Sequence, residues 1–168
     1  MYKYLLSLLL IISNSCHAQS NFNGGFEKID PKTNQPVGWN FGFNKEQALT
    51  YPSKLDSLIK QEGKYSVSIE KKEKGGGYGV IDYPITNDYN GSVIELVGYM
   101  KTEAVANGFA SLWLRLDGED GKVVRSDAMQ KQEIKGTTDW KKYIIKLDYD
   151  ENIKGIHFGG LLMGDGKA

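Results

Sequence analysis

The feature that most constrains this chain is the alternation along "GFASLWLRLDG", Gly108 to Gly118. Ala110, Leu112, Leu114 and Leu116 fall on one parity, while Phe109, Ser111, Trp113, Arg115 and Asp117 fall on the other. Successive side chains of a β-strand point to opposite faces, so an extended strand puts the whole aliphatic row on one side, where a core can cover it. The same period recurs elsewhere. "YSVSIE" sets Tyr65, Val67 and Ile69 against Ser66, Ser68 and Glu70, and "YIIKLDY" sets Tyr143, Ile145, Leu147 and Tyr149 against Ile144, Lys146 and Asp148. "YGVIDYPI" places Ile81, Tyr83 and Ile85 together, with Pro84 removing a backbone donor and marking an edge or a strand end. "VIELVGYM", Val93 to Met100, and "IHFGGLLM", Ile156 to Met163, are apolar on both parities and predict central strands with little exposed surface.

The connections between these runs are short. "DGEDG", Asp117 to Gly121, carries two Asp-Gly pairs between apolar segments, a hairpin signal, and "NDYNGS" and "EAVANG" supply further turns. About eight strands at regular spacing predict an all-β fold of two antiparallel layers. "SKLDSLIKQEG" admits two readings. Leu55, Leu58 and Ile59 have helical i, i+3, i+4 spacing ahead of Gly63, and the alternative is a strand ending near Asp56 followed by a loop.

At the N-terminus, Lys3 precedes an apolar run from Tyr4 to Ile12 and a polar segment closing in small residues. This is the pattern of a secretory signal peptide over residues 1–18, cut after Ala18, and it is too short for a transmembrane helix. The expected location is outside the cytoplasm: secreted, periplasmic or on the cell surface. Lipid attachment at Cys16, after Ser15, is the competing reading. Cleavage after Ala18 removes the single cysteine, so residues 19–168 must fold on a core and not on disulfides. The formal charge balances 21 basic against 21 acidic residues, and loss of Lys3 leaves 20 against 21. That is no electrostatic footprint for nucleic acid.

Catalytic patterns are missing. His157 is the one histidine beyond the signal, set between Ile156 and Phe158, and reads as a partly buried imidazole with a hydrogen-bond partner. No nucleophile elbow, zinc motif or phosphate-binding loop is present, "GGGYG" included, so no enzyme activity is expected of this chain. The non-leucine face of "GFASLWLRLDG" is the candidate binding surface. An indole at Trp113 beside the charges of Arg115 and Asp117 suits a glycan, whose C–H faces stack on aromatic rings while its hydroxyls take charged hydrogen bonds. The other reading covers Trp113 with a loop or a neighbouring domain and leaves Arg115 and Asp117 solvated. Trp39 and Trp140, each beside a turn, read as plugs at the ends of the sandwich.

"NGGFE" with "VGW" downstream, then "EGKYSVSIE", "IELVGYMKTE", "GFASLWLRLDG", "GTTDWKKYIIKLD" and "IHFGGLLMGDGKA", arrive in an order that resembles a known family. It is the carbohydrate-binding-module-like, galactose-binding-like jelly roll that precedes tail-specific peptidase or erythromycin-esterase-like catalytic domains in secreted bacterial hydrolases. The resemblance implies a non-catalytic accessory or glycan-binding module whose catalytic domain lies outside this chain, or a structural domain that packs against such a catalytic domain. It also implies a structural calcium held by Glu27 and backbone carbonyls near Gly63 and Lys64. The pattern leads further to a closing C-terminal strand, beginning with an aromatic residue and bearing aspartates, where this sequence stops at "GDGKA", so the jelly roll is expected to lack that strand and its aspartate calcium ligand.

Overall fold

The computed structural model describes residues 22–85 and 89–168. The signal segment, Cys16 and part of the "NDYNGS" turn lie outside the described residues. The fold is an antiparallel β-sandwich of the jelly-roll type, as the alternation predicts. Its strands are β1 (Asn40–Phe41), β2 (Ser53–Asp56), β3 (Ser66–Ile69), β4 (Tyr78–Ile85), β5 (Val93–Asp117), β6 (Val123–Asp127), β7 (Ile134–Asp148) and β8 (Gly155–Lys167). Among the described residues one helix, α1 (Lys45–Thr50), and a single 3₁₀ turn at Gln130–Gln132 accompany them.

Hydrogen bonding runs β1-β4-β8-β5-β6, with β7 also on β5 and β2 paired with β3. The 25-residue β5 serves both layers. Its second half, Phe109 to Asp117, lies beside β8, and its end pairs with β6. Its first half, Val93 to Met100, pairs with β7. Between the halves the register slips repeatedly, and Ala104 and Asn107 take left-handed backbone conformations. "EAVANG" is therefore a bulged corner inside one continuous strand, in place of the expected turn between two; bulges bend a strand and increase its twist. β8 bends alongside at Gly164 and Gly166, where φ is 84° and 102°. A Cβ on Gly164 would come within 2.4 Å of Ala106 O, so no other residue fits against the corner without moving backbone. The Asp165 carboxylate accepts from Asn107 Nδ2 at 2.7 Å and from Lys71 Nζ at 2.9 Å, and these bonds hold its pKa below the usual carboxylate range.

The leucine row of β5 points inward. Ala110, Leu114 and Leu116 are fully buried with Ile81 of β4, Ile156 and Leu162 of β8, and Met100 and Ile145 of the other layer. Leu112 packs across the interlayer space against Gly98, where an added Cβ would sit 3.0 Å from its Cδ1. β8 is central, between β4 and β5. "VIELVGYM" departs from expectation. It alternates, with Ile94, Leu96 and Met100 inward and Val93, Val97 and Tyr99 about half exposed. Nothing among the described residues covers its outer face, so apolar composition on both parities did not mean burial on both.

"SKLDSLIKQEG" is the strand β2 followed by a loop. The Asp56 carboxylate accepts from the Leu58 and Ile59 amides, and Leu58 is 88% exposed, so the helical spacing has no core to face. The helix lies earlier, where Asn44 caps α1 by accepting from the Gln47 amide. It is one and a half turns with no buried residue, which leaves no periodicity to read.

The opening stretch "NFNGGFEKIDPKTNQPVGW" is organised by Asn23. Its buried side chain donates to Lys28 O at 2.8 Å and Val37 O at 3.2 Å and accepts from Lys28 N at 2.9 Å, while its own carbonyl accepts from Trp39 Nε1 at 2.8 Å. Trp39 then packs among Phe26, Tyr83 and Phe158 as a plug. Replacement of Asn23 by alanine takes the side-chain partner from Lys28 N and Val37 O, while Lys28 O keeps its bond from Val37 N, at a cost of roughly 1–3 kcal/mol. The expected outcome is a melting temperature lower by roughly 2–4 °C per kcal/mol lost, measured by circular dichroism.

Candidate ligand-binding face and interlayer cavity

The odd-numbered face of β5's second half, opposite the leucines, is only partly open. Trp113 pairs across to Gly159, and its indole lies over that glycine so that Nε1 donates to Ile81 O, two strands away, at 3.1 Å. Gly159 is what permits this. A Cβ there would fall 1.9 Å from Ile81 O and 3.2 Å from Trp113 Nε1. Phe43, which is 51% exposed, packs edge-on against the indole at 6.3 Å between ring centres. Trp113 is 8% exposed, which corrects the expectation of an open indole platform and matches the covered reading for the ring, whereas Asp117, solvated in that reading, is buried and paired with Arg115. The ring this face presents is Phe43.

Beside the rings runs a line of polar side chains. Asn40 Nδ2 donates to Asp82 Oδ2 at 3.2 Å, and Asp82 Oδ1 stands 3.1 Å from His157 Nδ1. His157 Nε2 is 3.6 Å from Asp117 Oδ2, close enough for charge attraction and too long for a good hydrogen bond. Arg115 NH2 donates to that same Asp117 oxygen at 2.9 Å. Asp82 and Asp117 are buried, and His157 and Arg115 are about one quarter to one third exposed. His157 is thus the partnered imidazole expected. Two buried atoms of the line, Arg115 Nε and Asp117 Oδ1, have no hydrogen-bond partner among the described residues. A buried donor or acceptor left unpaired is costly, so both are positions that a water or a ligand hydroxyl would satisfy.

Trp113, Arg115 and Asp117 share one face of β5, with the indole buried and Asp117 paired with Arg115. Asn40, Phe43 and Asp82 were missed. Asp82 and His157 had one legible signal, as isolated polar residues within apolar strands on the parity away from the core; Phe43 had none.

Glu27 lies beside Gly63 and Lys64, the positions that the resemblance grouped. The contact is a hydrogen bond from Lys64 N to Glu27 Oε1 at 2.7 Å, and a Cβ on Gly63 would clash with the same oxygen. Among the described residues no group of three or more His, Cys, Asp or Glu is placed to hold a metal ion. Calcium takes six to eight oxygens, so an ion here would draw nearly all of its shell from backbone carbonyls and water.

Between the layers lies a cavity of about 540 Å³. Ile81, Leu112, Phe158 and Gly160 line it from one layer, and Val67, Ile69, Leu96 and Met100 from the other. Trp140, expected as a plug, is half-buried and lines the cavity instead. Few polar groups face it, which is unlike a sugar site.

No family model matches the chain. Over 80 residues it is 42% identical to an uncharacterized HTH-type transcriptional regulator, YbfP, of Bacillus subtilis (strain 168), a stretch covering 48% of this chain and 27% of that protein. The chain thus spans about a quarter of that relative's length. Among solved structures, the Family 16 Carbohydrate Binding Module-2 superposes with a TM-score of 0.53 at 12% identity, covering 78% of this chain and 84% of the module. The enzymatically active domain of bacteriophage CBA120 tailspike protein 4 gives 0.57 at 11% identity, over 87% of this chain and 20% of that one. The arabinose-bound α-L-arabinofuranosidase MgGH51 gives 0.52 at 14% identity, over 87% and 24%. These likenesses establish the fold, a jelly-roll β-sandwich. None of the three is named as a peptidase or an esterase.

Because its indole is buried and hydrogen-bonded, Trp113→Ala is expected to cost roughly 3–5 kcal/mol of stability. Chemical denaturation checks this. An unchanged midpoint would mean that the ring is a surface feature.

Proposed function

We propose that this chain is a non-catalytic, glycan-binding accessory module of an exported hydrolase, with its ligand face at Phe43, Arg115, Asp117, Asp82, His157 and Asn40. The observation that carries the reading is the pair of unsatisfied buried atoms, Arg115 Nε and Asp117 Oδ1, beside an exposed aromatic ring. An apolar ring for C–H stacking and a fixed row of donors and acceptors are what a sugar ring with several hydroxyls requires. The jelly roll supports it, since the superposed carbohydrate-binding module is matched over most of its length. Among the described residues no helix is long and apolar enough to cross a membrane. The signal-like N-terminus supports export. The resemblance supports a peptidase or esterase as the parent enzyme.

Titration calorimetry against a panel of soluble polysaccharides tests this. Phe43→Ala and Arg115→Ala are each expected to weaken binding tenfold or more, about 1.4 kcal/mol, with little change in melting temperature for Phe43→Ala and a lower one for Arg115→Ala, which takes the donor from the buried Asp117 carboxylate. Binding to no glycan, or binding unaffected by either change, would overturn the assignment. A second reading, a structural domain packed on a catalytic neighbour, is favoured by the half-exposed Val93, Val97, Tyr99 and Ile144 on the outer face of β5 and β7.

A structural calcium at Glu27 belongs to the same proposal. Millimolar calcium is expected to raise the melting temperature relative to a chelator, and Glu27→Gln to remove the difference; equal melting in calcium and chelator would dismiss the ion.

A further inference from the structure

His157 stands between two buried carboxylates, and its two ring nitrogens meet them on unequal terms. Its partners in the sheet are Pro84 of β4 and Arg115 of β5. From β4 Asp82 faces it, with Asn40 of β1 behind that carboxylate. From β5 come Asp117 and Arg115, and β6 places Ser126 beside Arg115. An ionised carboxylate only accepts hydrogen bonds, so the 3.1 Å contact with Asp82 Oδ1 requires a proton on Nδ1. The neutral ring has no other. Its Nε2 then turns a lone pair towards Asp117 Oδ2, and the two stand 3.6 Å apart, beyond hydrogen-bond range, while Arg115 NH2 holds that same oxygen at 2.9 Å.

A second proton changes this balance. Histidine is the side chain that ordinarily gains charge between about pH 8 and pH 5. With Nε2 protonated from solvent, the imidazolium donates towards both carboxylates, and its Nε2–H competes with Arg115 NH2 for Asp117 Oδ2. The formal charge of Asp82, Asp117, Arg115 and His157 goes from two negative against one positive to two against two. The carboxylates are 7% and 9% exposed, so little solvent or salt screens the change. Arg115 and His157 remain partly open, so a ligand on the face meets it directly. A guanidinium released from Asp117 presents a planar pair of N–H groups that fits a carboxylate.

We propose that His157 is a proton-operated selector on this face: protonation draws Asp117 onto the imidazolium, frees the Arg115 guanidinium for the ligand, and admits glycans bearing a carboxylate, the uronic acids, which the neutral form repels. The selector presupposes the glycan reading and assigns the charge class and the regulation of that same face. A neutral sugar has no charge to sense the change, so its affinity stays nearly constant with pH. A uronate meets one net negative charge above the imidazole titration and none below it.

The test adds methyl β-glucuronide and methyl β-glucoside, which differ by a carboxylate against a hydroxymethyl group, to the full chain at about pH 5.5 and about pH 8. Heteronuclear NMR reads the side-chain N–H signals. The chain has two arginines, Arg115 and Arg125, so the Arg115 Nε–H signal is identified by its loss in Arg115→Lys. Without ligand, that signal is expected to move with the titration of His157 Nε2. In His157→Gln, which keeps a donor for Asp82 and has no proton to gain, it should stay still. With ligand, the glucuronide is expected to bind about fivefold or more tighter at the lower pH, the glucoside to change by less than about twofold, and His157→Gln to remove the difference. Glucuronide binding at neither pH, equal glucuronide affinity at both, or an Arg115 signal in the unaltered chain that ignores His157 would each overturn the selector. The glycan reading stands or falls separately, on the polysaccharide panel.

Discussion

A single strand, β5, is asked to complete both layers of the sandwich, and the rest of the structure is arranged around that demand. Its second half buries Ala110, Leu114 and Leu116 in the core, and full burial of a leucine is worth roughly 1.5–3 kcal/mol. Its first half brings Met100 and Leu96 to the same core from the other side. A strand cannot turn from one layer into the other while its ladder stays regular. The slipped register from Met100 to Ala110 is the geometric cost, and β8 follows because it is hydrogen-bonded to the bend. Gly164 and Gly166 supply the left-handed conformations needed there. The contacts of Asp165 with Asn107 and Lys71 tie β8, β5 and the segment after β3 at this corner.

The same strand determines what its outer face can do. Trp113 points away from the leucines, as parity requires, yet it is not available for stacking, because its indole crosses the bare backbone of Gly159 to reach Ile81 O. Packing a large ring flat on a glycine buries apolar area without displacing a neighbour, and the hydrogen bond removes the penalty for burying the indole N–H. The ring thereby becomes the base on which Phe43 rests. The chemistry of the face then belongs to Phe43 and to the polar line from Asn40 to Arg115, which is anchored by two buried carboxylates.

Period-two alternation carried most of the architecture, because a side chain's face within a strand follows from parity alone. The leucine row, Val67 with Ile69, Ile145 with Tyr149, and Ile81 with Tyr83 all point as expected. What parity does not contain is the list of elements that cover each face. Val97 and Tyr99 look like core residues in sequence and are half exposed, while Trp113 looks like a surface residue and is buried by Phe43, 70 positions earlier in the chain. The helix failed for a related reason: α1 is held by the Asn44 cap and not by an apolar stripe. At the site, Arg115 and Asp117 were legible as an i, i+2 pair on one strand. Asp82 and Asn40 joined them only through sheet order, which sequence pattern does not encode.

Sheet order also separates the two concave features of the molecule. A ligand on the Phe43 and Arg115 face would contact the outside of β4, β8 and β5, whereas the interlayer cavity opens onto their inside. Hydroxylated ligands gain little in the latter. Its lining is mostly aliphatic and aromatic, so each sugar hydroxyl brought there would lose water without gaining a partner. A glycan would find donors and acceptors only on the other side of β8, along the line from Asn40 to Arg115.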